Sequence, residues 1–284
     1  MTVDDRGVVP PGPLRWPRHP RLAGAQPESI ALYTYLLDAD GELAEEFDLR
    51  SRLAARQLAT AKVLQAEIGT CDLGPWLESA RHGLGLLILD GLLALETRVG
   101  GRTAAELVGA GDLLQPLGPA SDQLLVRTCR WRALRPTRFA LLDADFSNRV
   151  RAFPQITRTL MRRACRRPME LDVLRAITSQ PRLEVRLVLL LWHLAARWGR
   201  VEPTGVRLSL PLTHRLLGEL VAAERPSISH ALKRLAQAGL VTGATDDLHL
   251  HHSLEYELAA LAERSSARAA RAVSHPRRVR RQIV

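Results

Sequence analysis

Aromatic residues are scarce in this chain, at 4% of 284 residues, so any core must be built from leucine, alanine and valine. Lysine is scarcer still. Lys62 and Lys233 are the only two among 40 basic side chains, and the rest are arginine. The three cysteines, Cys71, Cys129 and Cys165, stand far apart and form neither a CxxC pair nor an iron–sulfur spacing. Isolated thiols of this kind read as small buried hydrophobes. No run approaches the roughly 18 apolar residues of a membrane span. The stretch Leu187–Leu194 is apolar but short, with Arg186 before it and Arg197 after it. Residues 1–27 lack the apolar centre of a secretory signal. These absences predict a cytoplasmic location and no membrane partner. Catalytic patterns are missing too: there is no HExxH, no GxSxG and no Gly-rich phosphate loop before a lysine. Neither an enzyme nor a bound cofactor is expected. His249, His251 and His252 have no cysteine or carboxylate in the sequence pattern to complete a metal set.

What is present is a globular composition, 46% hydrophobic and 25% charged, on a chain long enough for two domains. The net charge of +10 favours polyanionic partners. Arg127, Arg130, Arg132, Arg135 and Arg138 form a cluster free of acids in the sequence. Seven more arginines lie between Arg149 and Arg167, and six between Arg268 and Arg281.

Six prolines mark residues 1–27 as a loose leader, and the leader is drawn as residues 1–37. Short helices are predicted at Ser29–Leu37 and Ser51–Leu64. LLILDGLLALETRV predicts a β-hairpin turning at Asp90-Gly91. Further strands are expected at Thr103–Val108, Leu124–Val126, Ala133–Leu134 and Phe139–Leu142. Short strands with regular turn signals imply a double-sheet roll over residues 38–153. Beyond Asp143 the apolar period becomes helical. Pro154 opens a long helix through residue 180, which Pro168 should kink or split. Gln180-Pro181 is the best domain boundary. Leu183–Trp198 reads as a buried helix and Val206–Leu210 as a strand. Leu240–Val241 and Leu248–Leu250 flank the turn GATDD as a hairpin wing. Leu254–Leu261 reads as a last short helix, and residues 263–284 as a basic flexible tail.

The stretch THRLLGELVAAERPSISHALKRLAQAGLV, Thr213–Val241, carries the functional signal. Thr213 suits an N-cap. Leu216, Leu217, Leu220 and Val221 form one apolar stripe. Ala222-Ala223-Glu224 makes a short turn. Pro226 is tolerated in the first turn of a second helix, where an amide lacks an internal partner anyway. Ile228, Ala231, Leu232 and Leu235 form its inner face at i, i+3, i+4 and i+7. The opposite face carries Pro226, Ser229, His230 and Lys233. Such a helix fits the major groove of double-stranded DNA, with its N-terminal residues at the base edges. Arg225 can donate to guanine O6 and N7, and His230 can donate or accept. Ser227, Ser229 and Lys233 can hold phosphates, and Arg234 lies nearer the flank. Two amphipathic helices joined by a short turn also occur in proteins that never touch DNA.

LTHRLLGELVAAERPSISHALKRLAQAGLV, together with LLILDGLLALETRVGGR, ELVGAGDLLQP and VRLVLLLWHLAARWG, resembles the cyclic-AMP receptor protein and fumarate–nitrate regulator (Crp/Fnr) superfamily of transcription regulators. The resemblance covers roughly Asp38–His252. It implies an α+β chain: a cyclic-nucleotide-binding-like sensor roll, a dimerisation helix at 154–180 and a winged helix-turn-helix at 181–262. It further implies a homodimer on a roughly two-fold symmetric operator, contact with RNA polymerase and an unidentified small-molecule effector. Arg225 matches the family's recognition-helix arginine. Pro226 stands where many members have Glu, and His230 where many have Arg, so the usual operator is not implied. The roll offers Gly111-Asp112 and Arg127-Thr128 without a convincing cyclic-nucleotide cassette. His82 could ligate haem, but it reads first as a surface-turn residue. The rival reading is a ligand-sensing or protein-interaction module that keeps the fold without reading sequence. A cupin-like enzyme would need His and carboxylates gathered in one cavity, and the strands supply none.

Overall fold

The computed structural model describes residues 32–116 and 127–274. Strand β1 (Tyr33–Tyr35) leads into helices α1 (Leu36–Ala39), α2 (Gly41–Glu45) and α3 (Leu49–Leu58). The Asp40 and Asp48 side chains accept first-turn amides of α2 and α3 and so start them. Then come β2 (Thr60–Ala66), β3 (Gly69–Cys71), α4 (Gly74–Ser79), β4 (Gly85–Val99), β5 (Arg102–Gly109), β6 (Leu113–Leu114) and β7 (Arg127–Leu142). These strands form one antiparallel sheet in the order β1-β2-β7-β4-β5, with β3 on β7 and β6 on β4. Helices α5 (Ala144–Arg149) and α6 (Pro154–Thr178) connect it to the C-terminal unit. That unit comprises α7 (Leu183–Trp198), β8 (Arg200–Glu202), β9 (Gly205–Leu208), α8 (His214–Val221), α9 (Arg225–Gln237), β10 (Val241–Ala244), β11 (Asp247–Leu250) and α10 (Leu254–Ser274). Its small sheet runs β10-β11-β9-β8. The chain is thus α+β, with a strand-rich N-terminal domain and a helix-turn-helix at the C-terminal end.

Strand β4 explains how one apolar run serves three cores. Before residue 90, Leu86 and Ile88 point into the roll against Phe139 and Leu141, while Leu87 faces α1, Ala140 and Leu142. The register with β7 then shifts between Ile88 and Leu93. A bulge inserts backbone and exchanges the faces. Beyond it, Leu93 points into the roll with Val108 and Ala133, and Leu92 and Ala94 point outward into the core of the C-terminal unit. Gly91 makes the bulge possible. Its φ is +102°, and a Cβ there would lie 2.3 Å from Thr137 Oγ1 and 2.6 Å from the Pro136 carbonyl.

Several sequence expectations are corrected. Asp90-Gly91 is a bulge inside one long strand, not a hairpin turn; the turn comes at Gly100-Gly101. The helix predicted over Ser51–Leu64 ends at Leu58, and alternation in TAKVLQA makes the rest a strand. Within the predicted Ser29–Leu37 helix, Tyr33–Tyr35 is a strand. Leu36 and Leu37 are fully buried, so the folded domain starts inside the region assigned to the leader. Ala133–Leu134 and Phe139–Leu142 are parts of the single strand β7, while Leu124–Val126 lies outside the described residues. Helix α6 runs through Pro168 as one helix. Residues 263–274 continue helix α10. Cys129 and Cys165 are exposed, not buried. Among the described residues, no helix is long and apolar enough to cross a membrane.

Candidate nucleic-acid interface

Helix α8 starts where the Thr213 side chain accepts the Leu216 amide at 3.1 Å. It ends at Ala222, whose φ of 56° is left-handed. The Ala223 amide closes this turn on the Gly218 carbonyl at 2.9 Å. A Cβ on Gly218 would stand 2.5 Å from the Ala223 carbonyl oxygen, so only glycine lets the chain reverse this tightly. Helix α9 follows, with Pro226 in its first turn. Ile228, Ala231 and Leu235 are fully buried against the stripe of Leu216, Leu217, Leu220 and Val221. The inner face expected from the sequence is therefore the inner face observed, with Leu232 partly buried at its margin.

The outer face of α9 is open. Arg225, Pro226, Ser227, His230, Lys233 and Arg234 are exposed, as is Thr213 at the start of α8. Thr213 spends its acceptor on the cap and keeps its hydroxyl hydrogen free to donate. Ser229 is half-buried, its Oγ 2.8 Å from His214 Nδ1 and 3.3 Å from the Arg225 carbonyl. It braces α9 against α8. The sequence reading missed His214 because only the turn brings positions 214 and 229 together. Arg234 Nε donates to Glu184 on α7 at 2.6 Å, which turns that side chain away from the open face.

The arginine clusters look different in space than in sequence. Arg132 donates to Glu96 at 2.7 Å, Arg138 donates to Asp90 at 2.6 Å, and Arg135 donates to the Ser209 carbonyl. Arg163 is almost fully buried between Asp40 and Glu42. Arg162 pairs with Glu46, Arg167 with Glu106, and Arg149 donates to the carbonyls of Leu58 and Thr60. Most of these charges hold the fold together and are not displayed to a polyanion. Arg207 forks onto Asp247 at 2.8 and 2.6 Å across the wing root. With Ser209 adding a third bond, the Asp247 carboxyl is held down at about 2.

The two domains are physically joined. Arg197, near the end of α7, pairs with Asp112 at 2.8 Å and donates to the Ala110 carbonyl at 3.0 Å. Asp112 also accepts the Gly109 amide at 2.8 Å. The Gly111-Asp112 pair is thus engaged by the helix-turn-helix unit. Beside this latch, β5, α6 and α7 enclose a cavity of about 470 Å³ lined in part by Glu106, Arg167, His193 and Trp198. His82 is exposed in the turn before β4. In the wing, His249 pairs with Glu202 at 2.9 Å, and His251 bonds Thr242.

Residues 185–252 match the Crp-like helix-turn-helix domain family. The helix-turn-helix unit is therefore similar to the DNA-binding domain of Crp-type regulators. Solved structures of similar fold include CprK in complex with OCPA, at 14% identity and TM-score 0.51, covering 74% of this chain and 94% of that one. CooA from Carboxydothermus hydrogenoformans, in a variant form, matches at 15% identity and TM-score 0.52, covering 79% and 94%. The c-di-GMP-responsive regulator CLP of Xanthomonas campestris matches at 15% identity and TM-score 0.52, covering 75% and 100%. No curated protein matches the sequence. These likenesses cover about three quarters of the chain, more than the helix-turn-helix unit alone, and show a shared fold.

Proposed function

We propose that the protein is a homodimeric transcription regulator that reads double-stranded DNA by sequence. The observation that carries this reading is the two-sidedness of α9. Its aliphatic side is locked onto α8, and Arg225, Pro226, Ser227, His230 and Lys233 remain open to solvent. In this reading Arg225 addresses a guanine edge and His230 an adjacent base. Ser227 and Lys233, with Thr213, hold phosphates. Ser229 serves mainly as a brace and Arg234 mainly as a strut to α7. Dimerisation uses the open stripe of α6, where Cys165, Met169, Val173 and Ala176 recur at helical spacing and all are exposed. Two copies would read two half-sites one helical turn apart. The sensor responds to something other than cyclic AMP, since Asp112 is already committed to Arg197 and the Gly109 amide. RNA polymerase is the expected further partner, and the cytoplasm the expected compartment.

Selection of bound duplexes from a random pool, at stated salt, tests the reading. A two-fold symmetric consensus is expected. Arg225→Ala should then weaken binding to that consensus about 10-fold or more and relax preference at one base pair per half-site. A protein that retains all duplexes equally refutes the proposal and favours a sensing module without sequence reading.

A further inference from the structure

The arginines of the sensor sheet divide into two groups. Those in the middle of β7 are paired, as described above. Those at the hairpin end are not: among the described residues, Arg98, Arg127 and Arg130 carry neither an ion pair nor a side-chain hydrogen bond, and all three are exposed. Arg102 joins them, 78% exposed, with one long contact to Glu224 at 3.8 Å. The acids of this hairpin, Glu96 and Glu106, are buried and committed to Arg132 and Arg167.

Strand register shows which way this end faces. Ala94, Glu96 and Arg98 alternate onto one side of β4, and Ala94 is buried against the helix-turn-helix unit. Arg130 lies directly opposite Glu96, and so shares that side. The same side therefore carries packed alanines near the bulge and bare guanidinium groups near the hairpin. Two contacts then place the hairpin beside the DNA-facing ends of the helices. Arg102 reaches Glu224, the residue immediately before α9. Helix α8, whose first turn carries Arg215 bonded to Glu219, packs on β5 of the same hairpin.

We propose that Arg98 and Arg130 on this side, with Arg102 and Arg127 opposite Val99 at the tip of the hairpin, form a second DNA-contacting surface that grips backbone phosphates flanking the bases read by α9. The inference rests on the reading of α9 given above. It adds a partner surface on the sensor domain. The occupant is nucleic acid because the patch is continuous with the start of the recognition helix and consists of arginines, whose planar forks suit phosphate oxygens. The contact is with the backbone and carries no sequence preference.

The test is the salt dependence of binding to the selected duplex, measured by fluorescence anisotropy between 50 and 200 mM salt. Removing one phosphate-bound guanidinium should flatten the slope of log K against log salt by about 0.9, and weaken binding about 5-fold at 0.15 M. The variant Arg98→Gln/Arg130→Gln removes two, so it is expected to flatten the slope by about 1.8 and weaken binding about 30-fold at 0.15 M, with base preference unchanged. Arg98→Lys, which keeps the charge, should hold most of the wild-type slope. An unchanged slope in the double variant overturns the proposal. If that variant, with its slope unchanged, also loses activation in a purified transcription assay, the patch serves an acidic face of the polymerase instead. A failure of the α9 reading is distinguishable: the wild-type protein then prefers no duplex, yet its slope on arbitrary duplex still reports whether the patch holds phosphates.

Discussion

Replacing Glu257 with glutamine is expected to stabilise the protein at pH 8 and to destabilise it by up to about 1 kcal/mol at pH 4.5. Glu257 lies in α10, fully buried against α7. Its Oε2 accepts the Trp192 indole N–H at 3.0 Å, and its Oε1 has no partner. Burial raises the carboxyl pKa to about 7, against the opposing bonds from Trp192 and the His252 backbone. The unfolded chain protonates near the ordinary value of 4.5. The folded state therefore favours the neutral acid. The stability this group contributes is fully present below about pH 4.5 and is lost as pH rises toward 7. At about 1.4 kcal/mol for each pH unit between the two values, the loss is about 3 kcal/mol. Glutamine keeps the shape and the acceptor for Trp192 and cannot ionise, but its new N–H donors lack a partner and take back about 1 kcal/mol. The net gain at pH 8 is about 2 kcal/mol, close to 1 M in urea midpoint for an ordinary denaturant slope. Urea titrations at both pH values, followed by tryptophan fluorescence, measure it. Other groups titrate alike in both proteins, so the difference between them isolates Glu257. Equal destabilisation of the variant at both pH values would refute the reasoning. It would mean that the carboxylate is held charged and satisfied.

Three further outcomes follow from the same geometry. Ala222→Gly should stabilise the helix-turn-helix by about 1 kcal/mol, because a left-handed φ of 56° strains alanine and not glycine; a lower melting temperature would contradict this. Mild oxidation with diamide should link two copies through Cys165, which sits on the open stripe of α6; a dimer by gel filtration that never crosslinks, even as the Met169→Cys variant, would move the seam off this face. Arg197→Gln should loosen the sensor from the C-terminal unit at a loss of about 2 kcal/mol, since it leaves the buried Asp112 carboxylate without its ion partner; limited proteolysis near Gln180-Pro181 should speed up accordingly, and unchanged cleavage would show that the apolar contacts suffice.

Legibility from sequence depended on how local the determining physics was. The helix-turn-helix was readable because caps, a first-turn proline and i, i+3, i+4, i+7 leucines act within a few residues of one another. The wing was readable for the same reason. The bulge at Asp90-Gly91 was not, because the Asp-Gly pair is also the strongest short hairpin signal. Only pairing with β7, forty residues and more away, decides between the two. Pro168 was overestimated as a breaker: the helix is held on both sides of it, by Leu160 and Arg163 before and Ile177 after, all buried. The arginine clusters misled because their partners, Glu96, Asp90, Asp40, Glu42 and Glu46, come from distant strands and helices. Of the interface residues, exposure of Arg225, His230 and Lys233 follows from the helical period alone. The engagement of Ser229 by His214 and of Arg234 by Glu184 required the tertiary structure.

The shared core constrains how a signal could pass from sensor to reader. Leu92 and Ala94 of β4 are buried in the same apolar cluster as the helix-turn-helix, with Leu107 of β5 packed on it. Lifting the two domains apart would expose these side chains. A leucine fully buried is worth about 1.5–3 kcal/mol, so Leu92 alone opposes separation by roughly that much, and Ala94 and the partly buried Leu107 add to it. The Arg197–Asp112 pair and the Arg135 bond to Ser209 would break as well. Turning a 1:99 equilibrium into 99:1 already requires about 5.5 kcal/mol of differential affinity. A ligand that detached the reader would have to supply that and offset the exposed core. Sliding α8 over β5 keeps the leucines covered and only exchanges polar partners at the rim, where Arg102–Glu224 is long and solvated. On the proposed regulator reading, the packing therefore favours a switch that re-aims α9 within the interface over one that opens it.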